Sequence, residues 1–213
     1  GTLTSGLPYD LFVYNNAGVV TLRSPVAWTN TTTRATALVL QNGIYVKTGA
    51  TTDRYLGTFY TDSTTQTSDS GTGSATSGRH LWNYYNRVDR PMTRIETANS
   101  WTYATATIHQ ANANTANTLQ YVVGVAEDHQ VFEINFMGIQ GGGVFGTVGI
   151  GIDSTTAYAT GAIPTTFNGT TYGGYISSLR TISAAGHHAA NWLEWASGAT
   201  ITWYSGTTPS SGI

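Results

Sequence analysis

His187-His188 is the densest pair of titratable side chains in the sequence. Neighbours on a strand point to opposite faces, so the two imidazoles cannot readily share one ion. His109 and His129 have no metal-ligand spacing either. The absence of cysteine removes thiolate metal sites and disulfide frameworks together. No metal is expected. A glycosidase acid pair would have to come from Asp128, Asp153, Glu127, Glu133 and Glu194. Glu133 and Glu194 fall in strand patterns with apolar neighbours on the opposite face, which reads as exposed strand carboxylates. Serine is plentiful, but no Gly-x-Ser-x-Gly elbow occurs. Val148-Gly149-Ile150-Gly151-Ile152-Asp153 lacks the third glycine and the βαβ setting of a nucleotide loop, so no cofactor is expected. Its alternating glycines read instead as positions where another sheet or subunit approaches closely. The expectation is a protein without catalytic residues.

Aromatic side chains are the better functional lead. Trp192, Trp195 and Trp203 crowd the C-terminal hairpin beside Tyr204. Trp192 and Trp195 differ by an odd number, so on a strand one faces the core and the other a surface or interface. Tyr172 and Tyr175 flank Gly173-Gly174. Aromatics set among Asn and Thr suit sugar rings, which stack an apolar face and hydrogen-bond at the rim. Tyr172, Tyr175, Trp195, Trp203 and Tyr204 are therefore the candidate glycan or interface contacts. The one basic cluster, Arg79, Arg87, Arg90 and Arg94, runs beside Trp82, Tyr84 and Tyr85. It could grip a phosphate, but Arg stems more often pack on rings while their heads pair with acids, here Asp89 and Glu96. A formal net charge of -2 lacks the basic excess of a nucleic-acid binder, so no nucleic-acid partner is expected.

These side chains hang on a chain built for sheet. Of its 213 residues 40% are hydrophobic and only 9% charged. Thr is roughly one residue in six, far above its usual share. Leu11 and Val13 alternate with Phe12 and Tyr14, Asn15-Asn16-Ala17-Gly18 supplies a turn, and Val19-Val20-Thr21-Leu22 returns. Asn42-Gly43 opens a second hairpin, in which Ile44 to Lys47 runs out, Thr48-Gly49-Ala50-Thr51 turns and Tyr55 to Thr61 runs back. In its return strand Tyr55, Gly57 and Phe59 should point one way, and Leu56, Thr58 and Tyr60 the other. Residues 62–78 offer no apolar face and read as a Ser/Thr/Gly-rich linker or long loop. Strands follow at 81–88, 101–110, 119–126, 131–139, 144–152, 172–181, 188–196 and 200–204. Residues 79–88 also fit a helical period. The fold expected is all-β: a small N-terminal β-hairpin subdomain at 1–61, the 62–78 segment, and a jelly-roll-like β-sandwich at 79–213. No apolar run approaches the ~20 residues of a membrane span, so no membrane insertion is expected. The opening on Gly1 and the ending on Ser210-Ser211-Gly212-Ile213 read as a processed product or part of a longer chain.

Three N-terminal segments resemble parts of tailed-bacteriophage virion proteins, the tail fibre, minor tail and head fibre or decoration proteins. They are Tyr9-Asp10-Leu11-Phe12-Val13-Tyr14-Asn15-Asn16-Ala17-Gly18, Asn42-Gly43-Ile44-Tyr45-Val46-Lys47-Thr48-Gly49 and Arg54-Tyr55-Leu56-Gly57-Thr58-Phe59. Arg79-His80-Leu81-Trp82-Asn83-Tyr84-Tyr85-Asn86-Arg87-Val88 with Arg90-Pro91-Met92 is the most specific stretch. Ser100-Trp101-Thr102-Tyr103 and Val122-Val123-Gly124-Val125-Ala126-Glu127-Asp128 continue it. The resemblance covers most of the chain but little of 137–180. It implies an elongated, trimeric, non-enzymatic structural protein on the virion surface, assembled in the host cytoplasm. Its partners would be its own copies as a homotrimer, other virion proteins of tail or capsid, and a host-surface glycan. Two hairpins are small for an independent core, which symmetry mates could complete. Two other readings remain open, a capsid decoration or cement protein and a secreted carbohydrate-binding module. A depolymerase spike is disfavoured because no β-helix repeat is visible.

Overall fold

The computed structural model describes residues 2–71, 78–140, 144–168 and 173–204. The N-terminal sheet contains β1 (Pro8–Asn16), β2 (Val19–Leu22), β3 (Val26–Ala27), β4 (Leu38–Gln41), β5 (Ile44–Lys47) and β6 (Ala50–Tyr60). The strand order is β2-β1-β6-β5-β4, with β3 paired to β1 beside β2. Both hairpins turn where read, the second at Thr48-Gly49, and Asn42-Gly43 turns a further hairpin between β4 and β5. Ala17 and Gly18 have φ of 52° and 91°, Asn42 and Gly43 of 51° and 78°. Such left-handed pairs match the twist of the flanking strands. Asn15 Oδ1 ties the first turn by accepting the Gly18 N–H at 2.6 Å.

A β-bulge corrects the alternation expected in β6. Leu11 pairs with Gly57 but Phe12 pairs with Tyr55, so Leu56 is the extra residue. One extra residue inverts the side-chain parity beyond it. Tyr55 thereby joins Thr58 on one face, their oxygens 2.5 Å apart. Phe59 stacks on Tyr9 at 5.4 Å instead of sharing a face with Tyr55.

The described part of the 62–78 segment is tied to the body. Thr67 Oγ1 donates to Tyr60 O, Arg79 pairs with Asp69 at 3.5 Å, and Thr93 N–H donates to Gly71 O at 2.7 Å. The chain then makes β7 (Gly78–Arg79) and β8 (Leu81–Asn83). β8 pairs with β6, so the N-terminal sheet takes a strand from beyond that segment. β8 stops early because Asn83 Oδ1 accepts the N–H groups of Tyr85 and Asn86, at 2.9 and 3.2 Å. This local turn competes with the ladder. No helical turn forms over 79–88.

The rest is a β-sandwich. Its strands are β9 (Ser100–Tyr103), β10 (His109–Gln110), β11 (Thr118–Val123), β12 (Gln130–Gln140), β13 (Gly146–Ile152), β14 (Thr165–Phe167), β15 (Gly173–Thr181), β16 (Gly186–Ala196) and β17 (Ile201–Tyr204). One sheet has the order β15-β12-β17-β9; the other runs β14-β13-β16-β11, extended by β7 and by the short β10. Apart from those two extensions, the first sheet takes the sixth, third, eighth and first strands in chain order. The second takes the fifth, fourth, seventh and second. That interleaving of two Greek keys is a jelly roll. Phe132, Ile134 and Phe136 of β12 point inward, as alternation predicts, and meet Tyr121, Val148, Ile150, Leu179, Ile201 and Trp203. Each such side chain contributes about 1.5–3 kcal/mol by leaving water. Trp203, expected as a glycan or interface contact, is a core residue at 0% exposure, packed against Phe136 and Phe167.

The N-terminal sheet packs on the outer face of β11 and β16. Tyr60 stacks on His187 at 3.8 Å, and His187 N–H donates to Thr31 O at 2.9 Å. The Arg34 guanidinium donates to Gly124 O. A Cβ on Gly124 would lie 2.2 Å from the Trp82 ring and 2.4 Å from Tyr55 Oη, so only glycine admits this approach.

Candidate functional site

Of the five predicted aromatic contacts, Trp195 lines a cavity. On β16 it faces away from the sandwich interior, opposite to Trp192, as the odd spacing requires. With Tyr158, Thr147, Thr156 and Ile108 it lines an open hollow of about 600 Å³. The segment at 153–162 builds one wall by folding back over β13, with Ala159 N–H donating to Ile150 O at 2.8 Å. Gly149 and Gly151 make room. A Cβ on Gly149 would meet the Tyr158 ring at 2.5 Å, and one on Gly151 would meet Ser154 O at 2.4 Å. The close approach read from these glycines is made by this chain's own loop, in place of another sheet or subunit. Tyr158 was not anticipated, because it lies in a turn-rich stretch without periodicity. Tyr175 is half-buried against Phe136 and Phe167, and Tyr204 is half-buried opposite Met137 and Ser100. Tyr172 lies outside the described residues.

Glu194, read as an exposed strand carboxylate, is fully buried. It accepts hydrogen bonds from Trp101 Nε1 at 2.7 Å and Asn112 N at 3.1 Å, and His109 Nε2 lies 3.0 Å away. Burial pushes its carboxyl up to about 7, against the opposing pull of those two donors. Burial also lowers the basicity of His109. Of the two side chains only His109 reaches solvent. Glu133 is exposed, as read.

Three other histidines, His80, His187 and His188, gather where the two regions meet. Burial, with His80 and His188 close by, lowers His187 to about 4. His80, 1% exposed, is likewise lowered by burial, although Asp62 opposes the shift. Asp62 and Ser68 both approach His80 Nδ1, at 2.9 and 3.3 Å. A hydrolytic relay needs nucleophile and carboxylate on opposite ring nitrogens, so this contact is not one. His188 has both nitrogens engaged, by Asp153 at 2.7 Å and Ala184 O at 2.9 Å. Among the described residues no three His, Cys, Asp or Glu converge on a point that could hold a metal ion.

The Arg cluster packs on rings and pairs with acids, though not with the acids expected. Arg87 lies 5.2 Å from the Trp82 ring centroid and 4.6 Å from that of Tyr84. It pairs with Glu127 at 2.7 Å and Asp128 at 3.3 Å. Arg90 pairs with Asp69. Glu96 instead serves neutral donors: Ala98 N–H at 2.9 Å, Asn114 Nδ2 at 2.8 Å and Asn117 Nδ2 at 2.7 Å. Burial alone would raise its pKa, but these bonds win and hold it below the usual value.

The last two of these arginines, Arg90 and Arg94, stand on an arm, residues 90–96, that the chain lays across one mouth of the sandwich. Beneath it lies a groove of about 660 Å³, lined by Asn117 and Leu119 of the β11 approach, Glu133 of β12, Ile150 of β13 and Trp192 of β16. There an aromatic side chain, Trp192, again lies among polar ones. No protein-family model matches the chain, and no curated protein matches it.

Proposed function

We propose that this chain is a non-enzymatic structural component of a phage particle, a tail- or head-fibre component displayed on the virion and contacting the host surface. The observation that carries the reading is the pair of open aliphatic edges on the N-terminal sheet. At one edge β2 exposes Val19 (65%), Val20 (76%) and Leu22 (57%); at the other β4 exposes Val39 and Leu40. Exposed edge strands usually carry Lys, Pro or a bulge to prevent pairing with another chain. β2 and β4 contain neither Lys nor Pro. A homotrimer in which each sheet meets its neighbours would cover these edges, and closed symmetry would prevent runaway assembly. The sequence resemblance to virion proteins and a jelly roll, an architecture common in viral capsid and lectin domains, support the same reading.

The test is solution mass by light scattering across a dilution series. A trimer that persists on dilution is expected, with thermal stability that rises with protomer concentration. A clean monomer would overturn the assembly reading and put a secreted carbohydrate-binding module first.

A further inference from the structure

We infer that the groove beneath the 90–96 arm binds a neutral saccharide ring; the inference rests on the host-surface role proposed above. The groove is held open by construction. Thr93 N–H donates to Gly71 O at 2.7 Å, Arg79 donates to Pro91 O at 2.9 Å, and Arg90 to Leu81 O at 2.8 Å. Its volume, about 660 Å³, lies in the range of small-molecule sites.

Two adjacent residues in the groove keep unpartnered polar atoms. Asn117 is 1% exposed. Its Nδ2 donates to Glu96 Oε2 at 2.7 Å and to Ala111 O at 2.9 Å. Both amide hydrogens are thereby engaged, which fixes the orientation of the amide and leaves Oδ1 without a donor. Trp192, whose backbone N–H donates to Asn117 O at 3.0 Å, keeps its indole N–H without an acceptor. Trp28 and Trp203 also have unpartnered indoles, but they line neither of the two cavities. Buried polar atoms normally find partners, so a neutral acceptor and a neutral donor lining one groove point to a missing hydroxylated one.

Sugar hydroxyls can satisfy both, one donating to Asn117 Oδ1 and another accepting from the Trp192 indole N–H. Leu119 and Ile95 supply the apolar surface for the C–H face of the ring. The charged groups argue against an anion. Arg90 is held by Asp69, Arg94 has a partner of its own, Glu96 is held by its three donors, and Glu133 stands exposed at the rim.

The test is NMR titration of the full chain with N-acetylglucosamine, galactose, glucose and their linear tetramers, with a uronic-acid tetramer as the charged comparison. The six Trp residues offer indole reporters, and Trp192→Phe assigns one of them while keeping an aromatic ring. A neutral probe should shift the Trp192 indole signal saturably. Trp192→Phe should weaken binding about fivefold. Ile95→Glu, on an arm residue 51% exposed, should weaken it without touching the core. Ile176→Ser, exposed on β15, should leave it unchanged. No shift with any neutral probe at millimolar concentration overturns the inference. So does a shift confined to the Trp195 signal, tighter uronate binding, or binding indifferent to both groove variants. The mass of the same samples separates the two ideas. A trimer that ignores sugar sinks this inference alone, and a monomer that binds sugar sinks the virion reading alone.

Discussion

The N-terminal sheet and the jelly roll both bury aromatic side chains, but the N-terminal sheet adds Asp–Arg pairs whose carboxylates are buried. The jelly roll closes two layers over an aromatic and aliphatic core. The N-terminal sheet buries charge. Asp10 and Asp53 are 1% and 3% exposed, paired with Arg34 at 2.8 Å and Arg23 at 3.0 Å. The two guanidiniums lie over the Trp28 and Tyr14 rings, and Thr58 donates to Asp10 at 2.7 Å. A single sheet has no second layer of its own to exclude water from one face. Arg34 supplies part of what is missing by reaching Gly124 O of the sandwich. The N-terminal sheet therefore depends on the sandwich more than the sandwich depends on it.

That asymmetry predicts how each region breaks. Trp203→Ala removes the largest fully buried side chain and should cost about 3–5 kcal/mol. Chemical denaturation should show both regions unfolding together. Asp10→Ala strands the Arg34 charge, and breaking such a buried pair costs about 3–5 kcal/mol. Here the N-terminal sheet should loosen first, with hydrogen exchange rising in β1 and β6 while β12 and β16 stay protected. A double-mutant cycle of Asp10→Ala with Arg34→Ala should give a coupling of at least about 1 kcal/mol. Coupling near zero, or uniform exchange in Asp10→Ala, would break the contrast between the regions.

Two buried titrating groups sharpen it, because they push stability in opposite directions. His187, at the junction, is lowered from 6.5 to about 4. The unfolded chain therefore binds more protons between those values, so this histidine's share of stability is complete above 6.5 and is lost as pH falls toward 4. Glu194, inside the jelly roll, is raised from 4.5 to about 7. There the native state binds more protons, so its share is complete below 4.5 and is lost as pH rises toward 7. Each is worth at most about 3 kcal/mol, and the two nearly cancel in the native protein. Urea unfolding from pH 4 to 7 should expose them singly. Glu194→Gln should make stability rise more steeply with pH than in the native protein, and His187→Gln should tilt it the other way. Parallel curves for all three proteins would refute both assignments.

Much of the sandwich was legible because strict alternation survives where one face meets the core. Phe132, Ile134 and Phe136 are buried while Glu133 and Asn135 are exposed, as period two requires. The failures have local causes. The bulge at Leu56 inverts parity without a composition signal. Glu194 was misread because β16 is covered on both faces. Leu193 and Trp195 look outward toward the 153–162 segment, so the apolar neighbours of Glu194 do not mark the core side. Trp203 sits in a strand of four residues, too short for a pattern to settle its face. The groove was out of reach, since Asn117 and Trp192 meet only through the register that pairs Thr118 with Asn191.

The smallest effect on the fold falls on the open edges, where the comparison concerns what lies outside the chain. Val20 and Leu40 are 76% and 58% exposed and pack on nothing that their replacement would disturb. Val20→Lys and Leu40→Lys should each change the stability of an isolated protomer by no more than about 0.5 kcal/mol. If neighbouring copies cover these edges, a lysine there would bury an unpaired charge in the interface. Either variant should then lower the solution mass on dilution, and the pair together should give monomers that still show native near-ultraviolet circular dichroism. A mass unchanged by both lysines would remove the N-terminal edges from the assembly and leave the sandwich faces to make it.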